Sequence, residues 1–472
     1  MIRIAEFAGR DVAVFGLART GLAAAKALAA GGARVHAWDD SETARAQAEA
    51  EGVALSDINA RDWRAFAALI LSPGVPLHFP RPHRVVELAR AVNVPILGDV
   101  ELFARAVNAL PAGARPKVIG VTGTNGKSTT TALIGHLLAA GGKDVRVGGN
   151  IGQAVLDLAP LHAGAVYVLE LSSYQLDLVE TLRCDAAVLL NLTPDHLERH
   201  GSMDNYLAAK KRIFLNQGAG DWAVVGVDGI ETAGVCTNLL AGGARRVAPI
   251  SAQQAIGRGV CVLGSVLYDA LDGRAERVVD LAEAPALQGR HNAQNAAAAY
   301  AVARALHMPP RQIGEAMLTF PGLPHRMENV ATVRGVRFVN DSKATNADAA
   351  AQALASYPRV RWVAGGVAKA GGIVSLSRFF PKIAGAYLFG EAAPAFADTL
   401  AGHVETHQSE DLAGAVVKAY ADARASGESD PIVLFSPACA SFDQFRDYEH
   451  RGQAFKQIVA ALEAAPRDRA SA

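Results

Sequence analysis

Short runs of β-branched and aliphatic residues alternate with alanine- and leucine-rich stretches of helical spacing almost from end to end of the chain. Strands covered on both faces read as continuous apolar runs, so this rhythm predicts an α/β architecture of parallel sheets wrapped in helices. The first unit opens with the strand VAVFG at 12–16, a turn at 17–20, a helix to about Ala30, and a second strand, RVHAWDD, ending at Asp39 and Asp40. That is the opening βαβ of a Rossmann-like fold. It continues through LILSPGVPL, where Ser72, Pro73 and Gly74 punctuate a strand end, to about Val107, and the Pro/Ala/Gly stretch 110–116 reads as a linker.

A second unit begins at Lys117 and contains apolar strands at 165–173 and 185–196. Between 226 and 288 the pattern weakens into glycines and short apolar pieces, which predicts irregular strands and loops. The boundary falls at PGLPHR, after which alternation resumes: VRFVNDS, a helix over about 347–356, VRWVAGG, AYLFG, PIVLFSPACAS and a last helix stopping before Pro466. The charged tail after Ala465 is expected to fray. Three domains follow, at 1–109, 110–322 and 323–472: an N-terminal Rossmann-like domain, a central parallel-sheet domain of P-loop ATPase type and a C-terminal Rossmann-like domain.

Composition narrows the class. With 472 residues the chain is too long for one core, and its 46 Lys plus Arg balance 46 Asp plus Glu. Neutral charge gives no footprint for nucleic acid or a membrane surface. The four cysteines are scattered without a C-x-x-C pair and read as reduced thiols. The N-terminus runs into a strand without a basic leader, and no apolar run reaches spanning length, so a cytoplasmic enzyme without membrane insertion, and a monomer, is expected.

Chemistry concentrates in KVIGVTGTNGKSTTTALIGHLLAAGG, residues 117–142. A strand stops at Gly123, a glycine-rich turn follows, and Lys127, Ser128 and Thr129 open a helix. Glycines let the backbone approach a polyanion, the free N–H groups at the helix start point at it, and the lysine adds charge. A hydroxyl directly after that lysine is where phosphate-bound Mg²⁺ is gripped. Val121 occupies the first glycine position of the commoner G-x-x-x-x-G-K-[ST] loop, leaving the shorter G-T-N-G-K-S.

Ligands in parallel sheets sit at the carboxyl ends of strands. There Glu170 can hold a metal that bridges nucleotide phosphates, and His196 closes what reads as a buried strand. Lys210 and Lys211 adjoin an alanine face, and periodicity does not say which points inward. Asn292 and Asn295, three apart on a helix, could read an adenine or cap a turn. In the third unit NDSKATN (340–346), GGVAK with Lys369, and SPACASFDQFRDY (436–448) gather lysines and hydroxyls suited to an anionic substrate. The first turn, G-L-A-R-T-G, offers a backbone anion site near Thr20, with Asp39 or Asp40 placed for a ribose or base.

Together GLARTG, LSPGV, GTNGKST, GGNIG, ELSSYQLD, DHLERHG, YLAAKKRIF, GRHNAQN, LPHRME, NDSKATN and SPACASFDQF resemble the Mur ligase family of ATP-dependent amide-forming enzymes. The likeness spans all three units and is nearest to the branch that joins D-glutamate to UDP-N-acetylmuramoyl-L-alanine in peptidoglycan synthesis. It implies that the first domain binds the UDP sugar, the second ATP and the third the amino acid. Gly123, Thr124, Asn125, Gly126, Lys127, Ser128 and Thr129 would then cradle the ATP phosphates, with Asn295, Arg326 and Asp341 also on ATP. Ser128 and Glu170 would hold one Mg²⁺, and His196 a second. Lys210 would be a carbamylated metal ligand, which settles the choice between the two lysines. Ala18, Arg19, Thr20, Asp39, Asp40, Gly74, Asn150, Ser172 and Gln175 would line the UDP sugar. His196, Lys343, Thr345, Lys369, Ser441, Phe442 and Tyr448 would surround D-glutamate.

The implied reaction begins with attack of the alanine carboxylate on the γ-phosphorus, giving an acyl phosphate and ADP. The D-glutamate amine then displaces phosphate, His196 or a bound water being the base, and the third domain is expected to close over the site to exclude water. Lys127, His196, Lys210 and Glu170 are the catalytic set. Two positions depart from the family pattern: Val367 and Ala368 precede Lys369 where many members carry an acid, and Ala18 replaces a glycine, which a negative φ would tolerate. A folate polyglutamate ligase shares the loop but lacks a separate N-terminal sugar domain, and an NAD-dependent dehydrogenase would leave the phosphate loop and Glu170 idle.

Overall fold

The computed structural model describes residues 1–287, 289–369 and 371–465, with Arg290 and His291 described by their backbone alone. The expected fraying of the tail concerns residues outside this range. Among the described residues nineteen strands form three sheets. The first is fully parallel, in the order β2-β1-β3-β4, from β1 (Asp11–Phe15), β2 (Arg34–Trp38), β3 (Phe66–Leu71) and β4 (Ile96–Leu97).

The second has nine strands: β5 (Lys117–Thr122), β6 (Asp144–Gly149), β7 (Ala165–Glu170), β8 (Ala186–Leu189), β9 (Trp222–Gly226), β10 (Arg246–Ser251), β11 (Val260–Leu263), β12 (Val266–Asp269) and β13 (Glu276–Asp280). Their order is β13-β12-β11-β10-β9-β8-β5-β7-β6, parallel except where β12 and β13 fold back at the edge. The third, β14-β15-β19-β16-β17-β18, is built from β14 (Glu328–Val333), β15 (Val336–Asn340), β16 (Val360–Gly365), β17 (Ile383–Phe389), β18 (Thr406–Gln408) and β19 (Ile432–Phe435), with only β14 antiparallel.

Strands β5, β7 and β8 are apolar and buried nearly throughout because helices cover both faces, as the continuous hydrophobic runs require. The weakly patterned region, read as irregular strands and loops, does carry strands, but regular ones, and a helix that the reading lacked. It holds a 13-residue helix, Ile230–Gly242, and four regular strands, β10 to β13. The helix was hidden because only Thr232, Val235 and Cys236 on it are buried and it contains Gly234 and four β-branched residues. The strands are short, and the antiparallel edge pairs need no crossover helix to announce them.

By packing, the chain forms two compact units, Met1–Phe320 and Pro321–Ala472. Within the first, the four-stranded and nine-stranded sheets share one continuous core. The seam is also polar: the fully buried Glu101 carboxylate accepts the N–H groups of Glu180 (2.8 Å) and Thr181 (2.9 Å) and the Thr181 hydroxyl. All four cysteines are free and buried, and no described helix is long and apolar enough to cross a membrane.

Candidate active site

Strand β5 delivers the chain to the phosphate loop, where Gly123 (φ 150°) and Gly126 (φ 84°) adopt conformations closed to most side chains. The helix Lys127–Ala140 starts immediately after, so its free N–H groups face the loop. Gly126 is also fixed by space: a Cβ there would lie 2.2 Å from Asn295 Oδ1. Gly126→Ala is therefore expected to weaken nucleotide binding by about tenfold or more and to lower stability by about 1–3 kcal/mol, measurable by ADP titration and thermal unfolding. Wild-type affinity in that variant would show that the close approach of Asn295 is immaterial.

Two ammonium groups converge on the loop carbonyls. Lys127 Nζ donates to Gly123 O (3.0 Å) and Thr124 O (2.8 Å), and Lys210 Nζ donates to the same Gly123 O (2.8 Å). Lys210 is 1% exposed and lies over the Tyr206 ring. Burial, then repulsion from Lys127, pulls its pKa down to about 7, with Asp195 and Glu170 acting in the opposite sense. Lysine 210 thus points inward, while Lys211 is exposed. The Tyr206 hydroxyl reaches Thr124 Oγ1 (3.2 Å), which also accepts the N–H of Thr193.

Glu170 closes β7 at 2% exposure. Its Oε1 accepts a hydrogen bond from Asn150 Nδ2 (2.7 Å), while its buried Oε2 has no partner. A buried carboxylate oxygen left unpaired is costly unless a cation meets it, so this oxygen fits a divalent ion. No group of three acidic, histidine or cysteine side chains able to cage a metal occurs among the described residues. Mg²⁺ held by one carboxylate and phosphate oxygens needs none.

His196 corrects an expectation. Strand β8 ends at Leu189, so His196 does not close a buried strand. It caps the short helix Leu197–His200 in a left-handed conformation (φ 53°), its side chain 44% exposed, with its nitrogens facing Asp195 (3.4 Å) and Glu198 (3.7 Å) and its ring against Tyr174. The run NLTPDH is apolar at its start only, and Pro194 ends what the pattern had extended.

At the first sheet, Ala18 has φ −67°, an ordinary value that needs no glycine. Asp39 accepts the N–H of Leu17 (2.6 Å) and so braces the turn, while Asp40 pairs with His83 (3.0 Å). Thr20 Oγ1 lies 3.3 Å from Ser72 Oγ, and Gly74 sits in an open turn. The Arg19 guanidinium donates to Gly152 O (2.7 Å) and Gly149 O, joining this turn to the loop that carries Asn150. Ser172 and Gln175 form a reciprocal cap on the helix Ser173–Leu176. Gln175 is 2% exposed and its amide nitrogen is spent on Asp99 (3.2 Å).

In the second unit, Asp341 follows β15, accepting the Ser436 hydroxyl (2.7 Å) and the Met327 N–H. Burial raises its pKa to about 7, against Ser436 and Arg326, which is itself exposed. The wholly buried Arg451 knits three loops: it donates to Ser342 Oγ and O and to the carbonyls of Cys439 and Ala440, while Ala440 bridges to Val367. Lys343 lies over the Tyr448 ring (5.6 Å), Thr345 is half-buried, Ser441 is 2% exposed, and Lys369 and Phe442 are exposed. Arg451 was not legible in the sequence, since an arginine in EHRGQAF looks like any solvated helix charge.

These loops and sheets have known counterparts. The Mur ligase middle domain matches residues 121–303, and the Mur ligase glutamate ligase domain matches residues 325–439. The chain belongs to the Mur ligase family. It is 60% identical over 462 residues to the UDP-N-acetylmuramoylalanine–D-glutamate ligase of Phenylobacterium zucineum, covering 98% of both chains. It is 61% identical over 464 residues to the enzyme of the same name from Caulobacter vibrioides, again covering 98% of both. The solved UDP-N-acetylmuramate–alanine ligase of Thermotoga maritima shares the fold, with a TM-score of 0.58 at 18% identity over 96% of this chain and 99% of that one.

Proposed function

We propose that this chain is an ATP-dependent ligase that adds D-glutamate to UDP-N-acetylmuramoyl-L-alanine in peptidoglycan precursor synthesis. The observation that carries the reading is identity of about three residues in five, over nearly the whole chain, to enzymes of that name. The phosphate loop, the paired lysines and the orphaned Glu170 oxygen support it independently.

A carboxylate is a poor electrophile, so the alanine carboxylate oxygen attacks the γ-phosphorus, the bond from phosphorus to the β–γ bridging oxygen breaks, and ADP leaves. Lys127 and the helix start offset the repulsion between the two anions. Glu170 and Ser128 would hold one Mg²⁺ and His196 and Lys210 a second, and the ions would supply further charge neutralisation. The D-glutamate amine then attacks the acyl carbon, gives up a proton to His196 or a bound water, and phosphate departs carrying the former carboxylate oxygen. Lys343, Thr345, Lys369, Ser441, Phe442 and Tyr448 form the amino-acid site, and Asn150 and Ser172 border the sugar. Gln175 and Asp39, both engaged within the fold, act by holding their loops. The enzyme works as a monomer in the cytoplasm.

Lys210 is suited to carbamylation because only a neutral amine attacks CO₂, and a pKa of about 7 leaves a large neutral fraction at physiological pH. The carbamate keeps one N–H for Gly123 O and adds a carboxylate to the metal site.

The test is product formation followed by mass spectrometry, with UDP-N-acetylmuramoyl-L-alanine offered D-glutamate, L-glutamate or meso-diaminopimelate. The D-glutamate adduct alone is expected. An L-glutamate or meso-diaminopimelate adduct in its place, or turnover in a parallel arm that offers a folate with L-glutamate, would overturn the assignment.

A further inference from the structure

Behind the phosphate loop, from the backbone of Asn125, runs a chain of amides whose further members, Asn191 and Gln294, are assigned to no substrate. Asn125, at the loop tip, gives its N–H to Asn191 Oδ1 (2.9 Å) and receives Asn191 Nδ2 at its carbonyl (3.2 Å). The same Asn191 Nδ2 donates to Gln294 Oε1 (2.8 Å), and Gln294 Nε2 donates to Asp228 Oδ2 (3.2 Å). Asp228 in turn accepts the Ala252 N–H and the Ser251 hydroxyl at the end of β10. The path therefore leads from the loop tip across the helix Arg290–Ala305 to the ends of β9 and β10.

Three features make it more than incidental polarity. Gln294 is 8% exposed, so a broken link would strand a buried amide. Gly226 lets two groups in close: a Cβ there would lie 1.9 Å from Leu190 O and 2.9 Å from Gln294 Nε2. Its neighbour Asn295, 2% exposed, grips the loop's other side through Thr130 (3.2 Å) and the close approach to Gly126. Consecutive amides of one helix thus clamp both flanks of the loop.

We propose that Gln294 and Asp228 are positioning residues for the nucleotide loop, setting its geometry through Asn191. The idea rests on the loop's binding ATP, as proposed above. Donor order is fixed by Asp228, which can only accept when ionised, and that orients Gln294 and then Asn191. Gln294→Glu puts a carboxylate against Asp228 and breaks the chain. Residue 294 keeps its acceptor for Asn191 as Glu, and adding Asp228→Asn gives it a donor in place of the opposing carboxylate, while the Ala252 N–H loses its Oδ2 acceptor, a cost read in thermal unfolding rather than in ADP affinity.

The experiment measures ADP affinity by titration calorimetry in wild type, both single variants and the double variant, alongside KM for each substrate and thermal unfolding. Gln294→Glu is expected to weaken ADP and to raise KM for ATP by about tenfold, with KM for D-glutamate and the sugar unchanged. The double variant should recover most of the loss. Wild-type ADP affinity in Gln294→Glu, or losses in the two singles that simply add in the double, would overturn the proposal. If Gln294→Glu does not fold, a folded double variant with wild-type ADP affinity supports coupling, and one with weakened ADP overturns it. Binding of ADP by wild type without D-glutamate ligation would instead sink the functional reading and leave this one standing.

Discussion

Lys210→Ala is expected to lower kcat by on the order of a hundredfold to a thousandfold, the scale on which a single preorganised charge-stabilising group acts, while the protein stays folded. Removing a buried ammonium that crowds Lys127 relieves repulsion, so the loss cannot be laid to unfolding. Acetate or propionate should restore part of the activity by replacing the missing carboxylate. In wild type, activity in CO₂-depleted buffer should depend on added bicarbonate, with the dependence easing as pH rises through about 7, because the folded group loses its proton there. A lysine of ordinary pKa would be neutral in roughly one molecule in 2,500 at pH 7. The same shift predicts a stability signature. Between about 7 and 10.5 the unfolded chain holds more protons at this site than the folded one, so Lys210 makes wild type gain stability as pH rises, and Lys210→Ala should flatten that slope. Equal activity in variant and wild type would remove Lys210 from the site.

Glu170→Gln carries the second large effect. The side-chain oxygen can still accept from Asn150, but an amide nitrogen replaces the unpartnered Oε2 and repels a cation. Phosphate release should need far more Mg²⁺, with kcat down by about a hundredfold even at saturation. Thermal stability without metal should hold or rise, since the uncompensated buried negative charge is gone even though an unpaired polar group remains. An unchanged Mg²⁺ titration would place the metal elsewhere.

How much of this was legible depended on the kind of signal. The phosphate loop and β1, β5 and β7 were readable because buried parallel strands give unbroken apolar runs and glycines mark where they stop. The helix Ile230–Gly242 was not, because most of its surface is exposed and its sequence mixes β-branched residues with glycine. Site residues divided similarly. Lys127 and Glu170 sit at strand ends, where chain geometry alone points to ligands. Choosing Lys210 over Lys211 from the residues needed tertiary packing that no local period encodes. Gln294, Asp228 and Arg451 were missed because each is an unremarkable polar residue until its buried partners are known. Asp39 and Gln175, expected at the sugar, have polar groups committed to Leu17 and Asp99, pairings between segments far apart in sequence.

The central claim, that the sugar's carboxylate attacks ATP, is tested most directly by isotope transfer. UDP-N-acetylmuramoyl-L-alanine labelled with ¹⁸O at both oxygens of its alanine carboxylate is turned over with ATP and D-glutamate, and the released phosphate is analysed by mass spectrometry. The acyl-phosphate route predicts one ¹⁸O in each phosphate formed. Unlabelled phosphate, with the displaced ¹⁸O released into water instead, would contradict it.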